Sequence, residues 1–187
     1  MKLLLHTCCA PCSVYCIESL QSQNIDVTTY WYNPNIHPYK EYEARRDTYK
    51  QYMSKLQIPY ILDDEYGLKE FAKNVIQDLE NRCSNYCYKV RLEKTAQYAK
   101  EHGYDAFSTT LLISPYQKHD ILKQLGEEIG QKYGIKFYYQ DFRIGFREGQ
   151  NKARSLGLYM QKYCGCVFSE EERYLHTKKK KLQAQAI

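Results

Sequence analysis

Short apolar runs alternate with longer amphipathic stretches along most of this chain, and the two periods predict different elements. Residues 3–6 form a compact apolar run ended by His6 and read as a buried strand. Pro11 opens a helix reaching about residue 21, because a first helical turn tolerates a residue without an N–H. Residues 27–32 are β-branched and aromatic, a second strand closed by Asn33-Pro34-Asn35. Helix formers fill residues 41–56, a third strand follows at 59–62 before Asp63-Asp64, and a helix at 68–76. Residues 87–100 predict a helix with Gly103 as its stop signal, and 106–112 a fourth strand. Residues 121–133 read as helix despite Gly126 and Gly130, and 136–142 as strand.

Strands alternating with helices imply βαβ units, a parallel sheet and right-handed crossovers, hence an α/β fold. No internal repeat or linker interrupts the chain, so residues 1–187 are expected to form a single α/β domain. Its last third, about 148–182, is expected to be helical around Cys164-Gly165-Cys166 and to close over the site, with the polar stretch 144–150 as a mobile loop. In such sheets ligands sit at the carboxyl ends of the strands, near the topological switch point. Cys8-Cys9 directly follows the first strand, where a nucleotide-binding fold would carry a glycine-rich phosphate turn. No such turn is present, and cysteines occupy the place.

Composition sharpens that picture. The first apolar run is too short for a signal-peptide core, and no stretch approaches the roughly 20 apolar residues of a membrane span. A soluble cytosolic protein is the expectation, with no membrane partner. In that compartment clustered cysteines point to metal or redox work in preference to disulfide scaffolding. The net charge of +5 is mild, Lys178–Lys181 ends the chain in a basic run, and 20 tyrosines are an unusually high number. Basic side chains among aromatics suit unpaired nucleic acid, where rings stack on bases and cations hold phosphates. A terminal lysine run is equally the mark of a solvated tail.

Seven of the eight cysteines fall into three clusters: Cys8-Cys9-Ala10-Pro11-Cys12, Cys83-Ser84-Asn85-Tyr86-Cys87 and Cys164-Gly165-Cys166. Adjacent Cys8 and Cys9 can share a site from the turn at a strand end, and Cys12 follows one helical turn later. A helix N-terminus favours thiolates and improves them as ligands. Cys83 and Cys87 lie four apart, on one face if their turn is helical. Two thiolates from the first cluster and two from the second form a four-thiolate set that suits tetrahedral zinc or a cubane iron–sulfur cluster, and the unequal spacings favour the latter. Cys164 and Cys166 can close a strained, easily reduced disulfide or serve as further ligands. Cys16, mid-helix with Ile17 and Leu20, reads as a small core residue.

With these residues assembled, the chain resembles the QueH family of epoxyqueuosine reductases. The resemblance runs from Leu5-His6-Thr7-Cys8-Cys9-Ala10-Pro11-Cys12 through Tyr32-Asn33-Pro34-Asn35-Ile36, Glu41-Tyr42 and Arg45-Arg46. It continues through Arg82-Cys83, Cys87-Tyr88, Arg91-Leu92 and Phe107-Ser108-Thr109-Thr110-Leu111-Leu112, and ends at Tyr163-Cys164-Gly165-Cys166-Val167-Phe168-Ser169. It implies a Rossmann-like sheet similar to the adenine-nucleotide alpha-hydrolase group, and reduction of epoxyqueuosine to queuosine at the wobble position of tRNA. Carried onto this chain, it implies that Cys8, Cys9, Cys83 and Cys87 hold an iron–sulfur cluster of the 4Fe-4S kind. Cys164 and Cys166 would form a catalytic redox pair, and Cys12 would serve an additional iron. One departure stands out: the middle pair is CxxxC here, where the resemblance leads one to expect CxxC.

The implied reaction takes two electrons and two protons, with the epoxide oxygen leaving as water, so an external electron donor is also implied. Candidate proton donors are His6, Asp63, Asp141 and nearby tyrosines. Thr109 and Thr110, at a strand end, are candidates for substrate hydroxyls. Candidate phosphate contacts on an anticodon stem-loop are Arg45, Arg46, Arg91, Lys118, Arg143, Arg147, Lys152 and Arg154. Two rival readings are a zinc-stabilised tRNA-binding module without catalysis, and a tRNA sulfurtransferase carrying persulfide on Cys164 or Cys166.

Overall fold

The computed structural model describes residues 1–175. Five strands, β1 (Lys2–His6), β2 (Asp26–Trp31), β3 (Tyr60–Leu62), β4 (Ala106–Thr109) and β5 (Lys136–Phe137), form one sheet in the order β3-β2-β1-β4-β5. Every pairing is parallel, with Leu3 opposite both Val27 and Ala106. The α/β expectation holds. Helices α1 (Ala10–Gln21), α2 (Tyr39–Leu56), α3 (Leu68–Val75), α4 (Lys89–Glu101), α5 (His119–Tyr133) and α6 (Phe146–Ser155) lie between and after the strands. α1 packs on α2 and α6, while α4 packs on α5 and on β1 and β4. Layers on both faces explain why Leu3, Leu4 and Leu5 are all fully buried and why β1 is a continuous apolar run instead of an alternating one.

The chain passes from β1 to β2 on one side of the sheet and later returns to β4 on the other. The carboxyl ends of β1 and β4 therefore flank the switch point, and the segments 7–9 and 109–110 meet there. β4 is shorter than the sequence predicts because the Thr109 hydroxyl accepts from the Leu111 N–H at 3.1 Å and turns the chain into a 3-10 helix, Thr110–Ile113. β5 stops after two residues. Tyr138 still donates to the Phe107 carbonyl, but its hydroxyl and the Gln140 amide then reach Gln23 and Ser19 at and beyond the end of α1.

The stretch 144–150 is ordered helix, not a mobile loop. Its polar residues lie on an exposed helical face, and Gly145 and Gly149 let α6 approach α1. A Cβ on Gly145 would lie 2.2 Å from the Tyr15 ring, and one on Gly149 3.1 Å from the Tyr15 Cβ. The last third is helical on both sides of Cys164-Gly165-Cys166. α6 ends at Ser155, Gly157 follows at φ +68°, residues 158–166 are irregular, and 167–175 are helical again. Lys178–Lys181 lies outside the described residues. Among the described residues, no helix is long and apolar enough to cross a membrane.

Candidate functional site

The first cysteine group is built by the turn from β1 into α1. Cys9 caps the helix in extended backbone, Ala10 and Pro11 begin it, and Cys12 projects one turn on. The Cys8, Cys9 and Cys12 sulfurs all lie within 4.8 Å of one another, with Cys8 and Cys9 at 3.8 Å. Cys8 is further tied to the end of β4: its N–H donates to the Thr110 hydroxyl at 3.1 Å, and that hydroxyl approaches its sulfur at 3.4 Å.

The three sulfurs are not equivalent. Hydrogen bonds from Cys12 and Cys9 hold Cys8 well below the usual thiol value. Cys12 is raised because it donates to its neighbours, and Cys9 is raised by burial. The Gln161 amide adds a donor, 2.9 Å from Cys9 and 3.6 Å from Cys12, while its own carbonyl oxygen is buried without a partner. Three sulfurs gathered this closely fit a thiophilic metal.

The second group joins the other two clusters. Cys83 and Cys87 lie in a π-helical turn, Cys83–Tyr88, that leads into α4. Cys87 packs with Cys166, Phe71 and Val75 in a small apolar cluster. Burial raises both Cys83 and Cys87, and each feels the charges of Cys164 and Cys166. The π turn settles the spacing departure. It closes hydrogen bonds one residue further along than an α turn, about one extra residue per turn. CxxxC in a π turn therefore presents its two thiols much as CxxC does in an α-helix.

Cys164 is exposed and Cys166 buried, and all eight cysteines are free thiols. Their loop is anchored on both sides. Arg45, 2% exposed, donates to Glu41 at 2.7 Å and to the carbonyls of Cys164 and Tyr163 at 2.9 and 3.0 Å. The Gly165 carbonyl accepts from the His37 N–H at 2.7 Å, and the Tyr163 hydroxyl donates to the His37 carbonyl. A Cβ on Gly165 would lie 3.3 Å from the Ile36 side chain, a tight contact. Gln117, held by the Tyr88 hydroxyl at 2.8 Å, places its amide 3.5 Å from the Cys164 sulfur. One cavity of ≈ 1040 Å³ is lined by Cys8, Cys12 and Cys164 together.

The family model described as "Epoxyqueuosine reductase QueH" matches residues 3–172. The chain belongs to the QueH family. A Dehalococcoides mccartyi protein named epoxyqueuosine reductase QueH is 40% identical over 173 residues, covering 92% of this chain and 94% of the relative. A Thermotoga maritima protein of the same name is 38% identical over 183 residues, covering 91% of each. A third, from Histophilus somni, is 37% identical over 179 residues, covering 90% of this chain and 72% of its own length.

Against the residues singled out in sequence, this QueH chain shows several differences. Cys12, set apart from Cys8 and Cys9 in the expected ligand set, sits with them. Arg45 and Arg91 are not phosphate contacts: both are 2% exposed, and Arg91 donates to the Cys87 carbonyl at 2.6 Å. Arg46, Arg143 and Lys152 are paired with Asp64, Asp141 and Glu18. Arg147 and Arg154 line the cavity. His6, Asp63 and Asp141 do not line it. His6 is fully buried between Thr109 and the Tyr32 carbonyl, and burial lowers its pKa to about 4. Thr109 is spent on His6 and Leu111, whereas Thr110 does face the cavity. Cys16 is a fully buried core thiol, as its sequence context predicts. Gln117 and Gln161 escaped sequence reading, because a single glutamine carries no local signal of a sulfur partner.

Proposed function

We propose that this chain reduces epoxyqueuosine to queuosine in tRNA, a cytoplasmic two-electron deoxygenation. The observation that carries the reading is one cavity shared by the Cys8–Cys9–Cys12 sulfur nest and the exposed Cys164 thiol. Membership of a family whose curated relatives bear the name epoxyqueuosine reductase supplies the substrate.

Cys8, Cys9, Cys83 and Cys87 hold a 4Fe-4S cluster, and Cys12, the third sulfur of the nest, serves an additional iron. When bound, such a cluster supplies electrons singly and a Lewis-acidic iron. The protein supports it by polarity: the Thr110 hydroxyl and Gln161 amide point at Cys8 and Cys9, and N–H and O–H donors to sulfur favour the anionic form.

Cys164 and Cys166 supply the electron pair. Two thiols become one disulfide, releasing two electrons and two protons; both epoxide C–O bonds break, a C=C bond forms, and the oxygen leaves as water. An external low-potential donor then returns the disulfide to two thiols. Cys164 faces the cavity and meets substrate first; Cys166, buried against Cys87, resolves the pair. Gln161, Lys162, Tyr163 and Cys164 form a wall of the cavity, and their segment closes the site. Arg147 and Arg154 at the cavity take phosphates of the anticodon stem-loop. Anaerobically purified protein is expected to be brown, with iron and acid-labile sulfide. Stoichiometric zinc without iron would overturn the reading in favour of a binding module.

A further inference from the structure

Tyr116 is 83% exposed. Scattered exposed apolar residues are ordinary on a protein surface. Tyr116 is not isolated. Tyr116 and Phe146 both line the cavity that contains Cys164, and their rings meet edge to face at 5.9 Å. Phe146 opens α6, which carries Arg147 directly after it and Arg154 two turns on, both at the same cavity.

The backbone beneath Tyr116 is fixed although its ring is not buried. The Tyr116 N–H donates to the Ser114 hydroxyl at 3.3 Å, and the Gln117 N–H donates to the Ser114 carbonyl at 3.3 Å. The very next side chain, Gln117, reaches the Cys164 sulfur. The turn that positions a donor on the redox thiol therefore also holds a bare aromatic ring beside the cavity. Arg154 hydrogen-bonds the neutral Asn151 side chain at 3.1 Å, so its charge is not spent on a carboxylate there, in contrast to Arg143 and Lys152.

We propose that Tyr116, backed by Phe146, is a stacking platform for an unpaired RNA base adjacent to the nucleotide that enters the cavity. The proposal rests on the tRNA reading above and extends it to a named surface. The partner follows from chemistry: a two-ring apolar face beside uncompensated cations matches a single strand, which offers a π-face and a phosphate at every nucleotide. A duplex end-on offers only one such face, and a neutral peptide has no use for the cations. Two χ angles and a fixed backbone mean the ring is ordered on binding at low entropic cost.

The test measures binding of a fluorescent anticodon stem-loop RNA to cluster-loaded protein at fixed salt, then across a salt series. Tyr116→Ala is expected to weaken binding about tenfold or more, and Tyr116→Phe to stay within about twofold, the stacking of one base being the difference. The salt slope of Tyr116→Ala should match wild type, whereas Arg154→Gln should flatten it by about one counterion. Equal binding by wild type and Tyr116→Ala overturns the platform while leaving the tRNA reading intact. No wild-type binding to the hairpin overturns both. If Tyr116→Ala binds RNA normally but loses turnover with a protein electron donor and not with dithionite, the face belongs to the donor and the proposal is wrong.

Discussion

Arg45→Met should be among the most destabilising single substitutions in this protein, although Arg45 touches no substrate in the account above. Its guanidinium makes three bonds from a buried position: one to Glu41 and one to each carbonyl of Tyr163 and Cys164. Methionine keeps much of the stem's volume, so packing loss is small. What remains is the Glu41 carboxylate, 9% exposed and held only by the Tyr159 hydroxyl, and two carbonyls without their donor. Stranding one partner of a buried ion pair costs ~3–5 kcal/mol. The two lost carbonyl bonds contribute about 1 kcal/mol each, overlapping with that figure because all three share one group. Urea unfolding at pH 7 should place Arg45→Met ~3–5 kcal/mol below wild type, a midpoint shift on the order of 2 M. Adding Glu41→Gln should restore at least ~1 kcal/mol, since the stranded charge is then gone. Hydrogen exchange at residues 163–166 should rise in both variants, because the loop has lost its anchor. A loss under about 1 kcal/mol with unchanged exchange would refute the reasoning: the pair would then be solvated and the loop held elsewhere.

Alanine at Cys8, Cys9, Cys83 or Cys87 should remove most iron from anaerobic preparations, whereas Cys164→Ala and Cys166→Ala should keep the iron and lose turnover; iron loss from either of the last two would make them ligands. Deleting Asn85 converts the π turn to an α turn with CxxC, and iron content should survive; inserting a residue between Cys83 and Cys87 should abolish it. His37 gives a pH signature. Its Nε2 faces the Pro34 carbonyl, its Nδ1 is buried without a partner, and burial lowers its pKa to about 4. The unfolded chain therefore binds the extra proton between about pH 6.5 and 4, so stability is full above that window and falls as pH drops through it. His37→Gln should flatten that fall by on the order of 2 kcal/mol after solvent screening, read from urea midpoints at pH 7 and pH 4.5. An unchanged pH profile would show that His37 titrates normally.

The sheet was legible because parallel strands buried on both faces are continuous apolar runs, and helices of different period separate them. The ends were less so. Thr109 looks like one more strand residue, and only its hydroxyl's reach to the Leu111 N–H turns the chain. The polar stretch 144–150 looks like a loop until the Tyr15 side chain appears against Gly145 and Gly149. At the site, sequence spacing identified the three cysteine clusters and put Cys12 one helical turn from Cys8 and Cys9, but it could not show that Cys166 packs on Cys87. The Cys87–Cys166 packing crosses the fold, and so do the amides of Gln117 and Gln161. Arg45 and Arg91 show the same limit: basic residues beside a motif suggest phosphate, and only burial reveals that they hold backbone carbonyls.

The most direct test of the central claim is nucleoside analysis of epoxyqueuosine-bearing tRNA after anaerobic incubation with cluster-loaded protein and a low-potential reductant, without ATP. The account predicts loss of one oxygen and appearance of queuosine with wild type, and an intact epoxide with Cys164→Ala. An intact epoxide with fully loaded, reduced wild-type protein would contradict it.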